Sequence, residues 1–157
     1  MTSYCFVFAS PKKIKENDSK ILLDEVTFFL SQWKSHGMPV QASARIEKQH
    51  FLLIELFPGQ EQPGGCSKDE LFRFIKKMEE KFSYPFLDRT FLFLEDPHQN
   101  IHPVPVHEMD RWIKNHPDFS EWKWYDTTVL HLDDWKRNPV SVTNSFIADR
   151  WNLKTHV

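Results

Sequence analysis

Cys66 is the residue best suited to chemistry in this chain, because of what surrounds it in the stretch PGGCSKDEL. The chain has only four glycines, and Gly64 and Gly65 directly precede this cysteine. Ser67 and Glu70 have the S-x-x-E spacing of a capping box, which predicts that a helix begins here. Because a helix N-terminus favours a thiolate, the stretch indicates a candidate nucleophile.

His36 is the second candidate, and only the predicted topology relates it to Cys66. We expect His36 in the last turn of the first helix, before Gly37. If two helices lie antiparallel on one sheet, the first ends where the second begins, so His36 and Cys66 should share one end of the domain. A thiol beside an imidazole is the general design of an activated cysteine, and Asp69 could orient the imidazole.

The same residues also have a purely structural interpretation, and the sequence leaves both open. Gly64 and Gly65 would then only form the turn into the helix, Ser67 would only cap it, and Cys66 would be a small buried residue. His36 would only complement the dipole of the first helix.

The histidines do not form a metal motif, and we expect neither a metal nor a cofactor. His98, His102 and His107 are close in sequence, but their spacing matches no zinc signature and the neighbouring prolines predict a solvated loop. The chain also lacks the G-x-x-x-x-G-K-[ST] loop that binds nucleotide phosphates, the G-x-S-x-G elbow and the H-E-x-x-H helix.

The elements that would position these residues follow from hydrophobic periodicity. The sequence predicts six elements in the order strand, helix, strand, strand, helix, strand; they are 4–9, 18–36, 40–47, 50–57, 67–82 and 90–95. This order predicts an α+β fold with a ferredoxin-like βαββαβ core, an antiparallel sheet with two helices on one face.

The rest of the chain is predicted to cover the other face of that sheet. Three of the four strands are apolar on both faces, so a C-terminal α/β extension should pack on the open side. It would hold a short helix at 106–115 and a fifth strand at 125–132. The sequence shows no linker or repeat, so we predict a single domain over 1–157, with a core over 1–96 and an extension over 97–157.

Composition excludes several classes of function. The net charge is −2, and the motif of a nucleic-acid-binding sheet is absent, so we expect no nucleic acid partner. No apolar run approaches the roughly 20 residues of a membrane span, and the N-terminus does not have the pattern of a secretory signal. Two cysteines make no disulfide framework, so we expect a cytoplasmic protein.

Three motifs resemble those of a small family of uncharacterised bacterial proteins. The family shows W-x-x-H-G, an apolar strand, and S-G-C-S-x-D before a helix; here the matching segments are 33–37, 51–54 and 65–69, with Gly64 in place of the family's first Ser. The segment 145–150 resembles the end of the family's pattern. Its members often carry the label transporter ATPase, which the missing phosphate-binding loop contradicts. The resemblance implies no activity, but it brings His36 and Cys66 forward.

Two functions are therefore expected, and the sequence does not identify a substrate. In the first, the protein is a small binding or regulatory module in which Gly64, Gly65 and Ser67 take an anionic ligand or a segment of a protein partner. In the alternative, it is a thiol-dependent enzyme with Cys66 as nucleophile and His36 as base. The sequence does not indicate an oligomeric state.

Overall fold

A computed structural model describes residues 2–153, and the chain forms two compact units. Unit 1 comprises Met1–Asp88 and Thr127–Trp135, and unit 2 comprises Arg89–Asp126 and Lys136–Val157. The chain therefore changes unit three times, first at residues 88/89 rather than at the expected 96/97. The single domain over 1–157 stays a prediction.

The described elements are short strands and five helices. In chain order they are β1 (Cys5–Ala9), α1 (Glu16–Ser31), β2 (Lys34–Ser35), β3 (Met38–Pro39), β4 (Ala42–Glu47), β5 (Phe51–Leu56), α2 (Gly65–Phe82), β6 (Phe91–Glu95), β7 (Ile101–Pro105), α3 (Met109–Asn115), β8 (Lys123–Tyr125), α4 (Leu132–Lys136), β9 (Val140–Ser141) and α5 (Phe146–Arg150). Short 3-10 turns lie at Val106–Glu108, Phe119–Glu121 and Val142–Asn144.

Unit 1 is built on an antiparallel sheet in the order β1-β5-β4. The central strand β5 is the most apolar, and Ile54 pairs with Phe6 on one side and Ala44 on the other. Residues 48–50 join β4 to β5 in a tight turn, and Lys48 and Gln49 both have positive φ. Alternate strand residues pack with α1 and α2 in one core, so both helices cover the same face of the sheet.

The second face of this sheet is covered in part by residues that come late in the chain. Tyr4 forms an antiparallel bridge with His131, which brings Thr127–Trp135 back to the sheet. The Trp135 ring packs edge-on against Phe51 at 5.2 Å between centroids, and its Nε1 donates a hydrogen bond to Glu47. Within unit 1, residues 127–135 therefore pack on the face opposite α1 and α2, and the predicted cover by the whole of 97–157 stays a prediction.

The α+β class is confirmed, whereas the ferredoxin-like topology is not. The predicted fourth strand, 90–95, is β6, and it pairs antiparallel with β7 and β8 in a separate sheet of order β7-β6-β8-β9. Its partner β7 follows after a short turn, and closing a short loop costs little chain entropy. The local hairpin therefore provides the pairing that we had expected from distant strands.

Unit 2 has its own apolar core beneath this second sheet. Leu94 and Val104 from the sheet, Met109 from α3 and Ile147 from α5 are all fully buried in it. The helix predicted at 106–115 is present as a 3-10 turn followed by α3. The strand predicted at 125–132 is wrong, because β8 ends at Tyr125 and α4 begins at Leu132.

Among residues 2–153, no helix is both long enough and apolar enough to cross a membrane.

Candidate functional site

His36 lies at the tip of a small β-hairpin, and its predicted position in a helix is wrong. Helix α1 ends at Ser31, and β2 and β3 then pair antiparallel, with the Val40 N–H donating to the Trp33 carbonyl at 2.9 Å. His36 (φ +52°) and Gly37 (φ +78°) are the two central residues of the turn. This is the type I′ pattern, so Gly37 serves the hairpin and not the end of a helix.

The hairpin is fastened to the start of α2 by three hydrogen bonds. The Trp33 indole is buried and donates from Nε1 to the Ser67 carbonyl at 3.0 Å. In return, the Ser67 Oγ donates to the Lys34 carbonyl at 2.7 Å, and the Gly64 N–H donates to the Ser35 Oγ at 3.0 Å. Bonds in both directions fix the hairpin next to the first turn of the helix.

Ser67 has a different role from the predicted one. Helix α2 begins at Gly65 with Gly64 as its N-cap, and no side chain caps it, so the predicted capping box with Glu70 is not formed. Ser67 lies inside the first turn, is buried, and uses its hydroxyl to hold the hairpin. Its position indicates a structural contribution to the site, and its predicted contact with a ligand stays a prediction.

Gly64 leaves room for the His36 ring, and its backbone conformation is an ordinary one. Its φ of −65° suits any residue, so the two glycines do not provide an unusual turn. A Cβ on Gly64 would lie 2.9 Å from the His36 Nε2, whereas a Cβ on Gly65 would meet nothing within 4 Å. The imidazole therefore rests against the backbone of the helix start at a place that only glycine leaves open.

Cys66 is exposed and free at the second position of α2. The backbone N–H groups of Gly65 and Cys66 have no acceptor within the described part of the chain, as is usual for the first turn of a helix. No hydrogen bond joins the Cys66 thiol to His36, and the exposed Asp69 carboxylate has no polar partner among the described residues. The catalytic grouping of Cys66, His36 and Asp69 stays a prediction.

The second cysteine differs in every respect that matters for reactivity. Cys5 is the first residue of β1, an outer strand of the unit 1 sheet, and is only 1% exposed. Burial raises the pKa of the Cys5 thiol to about 12, and the nearby carboxylates of Glu55 and Asp134 add to the effect. Cys5 is therefore a protonated, inaccessible thiol in the same molecule as an exposed one.

The predicted histidine loop is wrong, because His102 belongs to strand β7. The prolines are accommodated since β7 is an edge strand, where a residue without an N–H can face outward. The His102 Nε2 lies 2.8 Å from the Asp96 Oδ2. The other carboxylate oxygen, Oδ1, accepts hydrogen bonds from the backbone N–H groups of His98 and Asn100. Sequence reasoning missed this pair, although the two residues flank a tight hairpin turn.

The Asp96 carboxylate is held in its charged form. Burial alone would raise the pKa of Asp96, but the hydrogen bonds from His102, Asn100 and His98 outweigh it and hold the value at about 2. In residues 2–153, no group of three or more His, Cys, Asp or Glu side chains is arranged to hold a metal ion.

Comparisons with known proteins do not assign the chain to a family. No family model matches the chain, and no significant match is found among curated proteins or solved structures. The resemblance carried by the W-x-x-H-G and G-C-S-x-D motifs therefore stays a prediction.

Proposed function

We propose that this protein is a small binding module whose site is the start of α2, formed by His36, Gly64, Gly65 and Cys66. We call these four residues the helix-start site. The observation that supports the proposal is the position of the His36 imidazole against Gly64, the residue that directly precedes two backbone N–H groups without acceptors among the described residues. These groups suit a small anionic ligand or an acidic segment of a partner protein.

Electrostatics favours an anion at this place. Helix α2 has 18 residues, so its N-terminus carries the full partial positive charge of a helix dipole. No acidic residue lies in its first turn to neutralise that charge. The exposed Asp69 is the nearest carboxylate along the helix, and it would weaken anion binding to some extent.

The test of the binding function is an NMR titration with inorganic phosphate. We expect the backbone amide resonances of Gly65 and Cys66 to shift saturably, with a dissociation constant of about 1 mM or lower. Gly64→Ala should weaken this binding because the new methyl group displaces the imidazole, and His36→Ala should weaken it similarly. His98→Ala is the matched control, an exposed histidine of unit 2 that is not part of the helix-start site.

Two results of this titration would contradict the binding function. The binding function is contradicted if the two amide resonances do not respond to phosphate. It is also contradicted if they respond equally in wild type, Gly64→Ala and His36→Ala, because the imidazole would then play no part.

The exposure of the free Cys66 thiol, two residues after the glycine that the His36 ring contacts, favours a second candidate, a thiol-dependent enzyme. In this function Cys66 would be the nucleophile, His36 would accept its proton, and the N–H groups at the helix start would bind the developing oxyanion. Asp69 would act only through the orientation of His36.

The rate of alkylation by iodoacetamide as a function of pH separates the two candidates. An activated Cys66 should reach its half-maximal rate well below the value of about 8.5 expected of a free thiol, and His36→Ala should abolish this advantage. Cys5 is the internal control and should stay unreactive in the folded protein. A Cys66 that titrates like a free thiol contradicts the enzyme and leaves the binding module.

A further inference from the structure

A second concave site lies in unit 2, and it shares no residue with the helix-start site. It is a pocket of about 660 Å³, within the range of small-molecule sites. Its lining comes from distant parts of the sequence and includes Arg89, Val106, His107, Asp110, Arg150 and Trp151. We call it the arginine pocket.

The pocket has a fixed backbone frame on one side. The Val106 N–H donates to the Thr90 carbonyl at 2.9 Å, and this bond ties the segment before β6 to the segment before α3. Arg89 and His107 are the neighbours of these two residues in the chain. Their backbones are therefore held together even though both side chains are exposed.

The charges in the pocket are unequal. Neither Arg89 nor Arg150 has an ion pair in the part of the chain that the structure describes. Asp110 is the only carboxylate in the described lining. His107 is largely exposed, with its Nε2 3.9 Å from the Glu108 carboxylate, and the two guanidinium groups are the permanent positive charges of the lining.

Arg150 is held in place by a ring and keeps its donors free. Its guanidinium carbon lies 4.6 Å from the centre of the Trp151 ring, a cation–π arrangement. Trp151 is half-buried and packs with Phe146 at 6.2 Å between ring centroids. The Arg150 guanidinium has no hydrogen-bond partner among the described residues, so its N–H groups can meet the two oxygens of a carboxylate or phosphate.

We propose that the arginine pocket binds a small organic oxyanion, a phosphate or carboxylate group carried by a flat apolar body. Arg89 and Arg150 bind the oxyanion, and Val106 and Trp151 provide the apolar wall for the body. Asp110 opposes the anion and limits affinity. This site is separate from the helix-start site, and neither proposal requires the other.

The test is a titration with three probes, inorganic phosphate, phenyl phosphate and benzoate, followed by the indole N–H resonance of Trp151. Trp151→Phe assigns that resonance. We expect saturable binding of phenyl phosphate or benzoate with a dissociation constant of about 1 mM or lower, and weaker binding of inorganic phosphate, which lacks the apolar body. The tighter of the two organic probes shows whether the pocket prefers phosphate or carboxylate.

Substitutions of the charged lining residues should change the affinity in opposite directions, according to the sign of the charge removed. Arg89→Gln and Arg150→Gln should each weaken binding about tenfold, since each removes a charge-assisted hydrogen bond. Asp110→Asn should instead strengthen it a few-fold, because it removes the opposing charge. Arg73→Gln is the matched control, an exposed arginine of α2 in unit 1, and it should change nothing.

Several results would overturn the proposal. They are no saturable response to any probe, equal affinity for phenyl phosphate and inorganic phosphate, wild-type affinity in the double variant Arg89→Gln/Arg150→Gln, or weaker binding in Asp110→Asn. The affinity of the wild-type protein for the organic probes should also fall as the salt concentration rises. This measurement does not depend on the folding of any variant. The resonances of Gly65 and Cys66 report separately on the helix-start site.

Discussion

Asp96 is the carboxylate with the largest downward pKa shift in the described chain. This shift predicts how the stability of the protein depends on pH. Its pKa is about 2 in the folded protein against 3.8 for an unperturbed aspartate, so the folded state binds the proton more weakly than the unfolded state does. The stability it contributes is therefore present above about pH 4 and is lost as pH falls toward 2.

The variant Asp96→Asn should lower the free energy of unfolding at neutral pH by on the order of 1 kcal/mol, because it removes a charged partner of His102. The difference from wild type should shrink between pH 4 and pH 2. Urea unfolding at a series of pH values measures both. Asp118→Asn, at an exposed position, is the control, and a pH-independent difference would contradict the role given to the charge.

The sequence predicted the neighbourhood of His36 better than its conformation. The predicted antiparallel arrangement of two helices placed His36 near the start of α2, and the imidazole does contact Gly64 there. The route is a hairpin and not a helix end, because Gly37 can serve either a helix stop or a type I′ turn, and sequence pattern does not separate the two. The fit of the ring against Gly64 depends on tertiary packing, which no pattern encodes.

At the level of elements, the hairpin of β2 and β3 makes a second prediction. Gly37 has positive φ and open space around it, so Gly37→Ala introduces backbone strain and no steric contact. We expect a loss of about 1 kcal/mol in the free energy of unfolding. Gly65→Ala, which also enters open space but at a helical φ, should be neutral or stabilising by up to about 1 kcal/mol.

Thermal or urea unfolding of the two glycine variants side by side measures this difference. Equal effects of Gly37→Ala and Gly65→Ala would mean that the left-handed turn does not carry the cost. Gly37→Ala should also weaken phosphate binding at the helix-start site, since the turn positions His36.

Hydrophobic periodicity predicted the elements well where their residues are buried in a regular pattern. Strands β1, β4 and β5 and the body of α2 lie where the sequence indicated. The assignment of β6 to the wrong sheet has a different cause. An apolar strand pattern predicts that the strand is buried, but the identity of its partner depends on loop closure. The prolines of β7 make that segment look like a loop, so the sequence pattern does not indicate the hairpin of β6 and β7.

At the level of the whole molecule, the two discontinuous units lead to a prediction about cooperativity. Each unit contains chain that comes before and after part of the other, so we expect the molecule to unfold in one transition. In Cys66→Ser, reaction of the buried Cys5 with a thiol reagent reports on unit 1, and the indole resonance of the buried Trp122 reports on unit 2.

The two probes should have coincident midpoints in urea. Separate midpoints would show that the units unfold independently, and the predicted single domain over 1–157 would then be wrong. Cys5 is suited to the measurement because, with a pKa raised to about 12, its thiol stays protonated at ordinary pH while the protein is folded.

The order of the chain also has a consequence for synthesis on the ribosome. The last segment of unit 1, which carries Trp135 onto Phe51, is translated after most of unit 2 has been made. From residue 88 to residue 135 is 47 residues, which takes several seconds at about 5–20 residues per second. During that interval one face of the nascent sheet lacks its cover, and a chaperone that binds apolar strands would have its opportunity then.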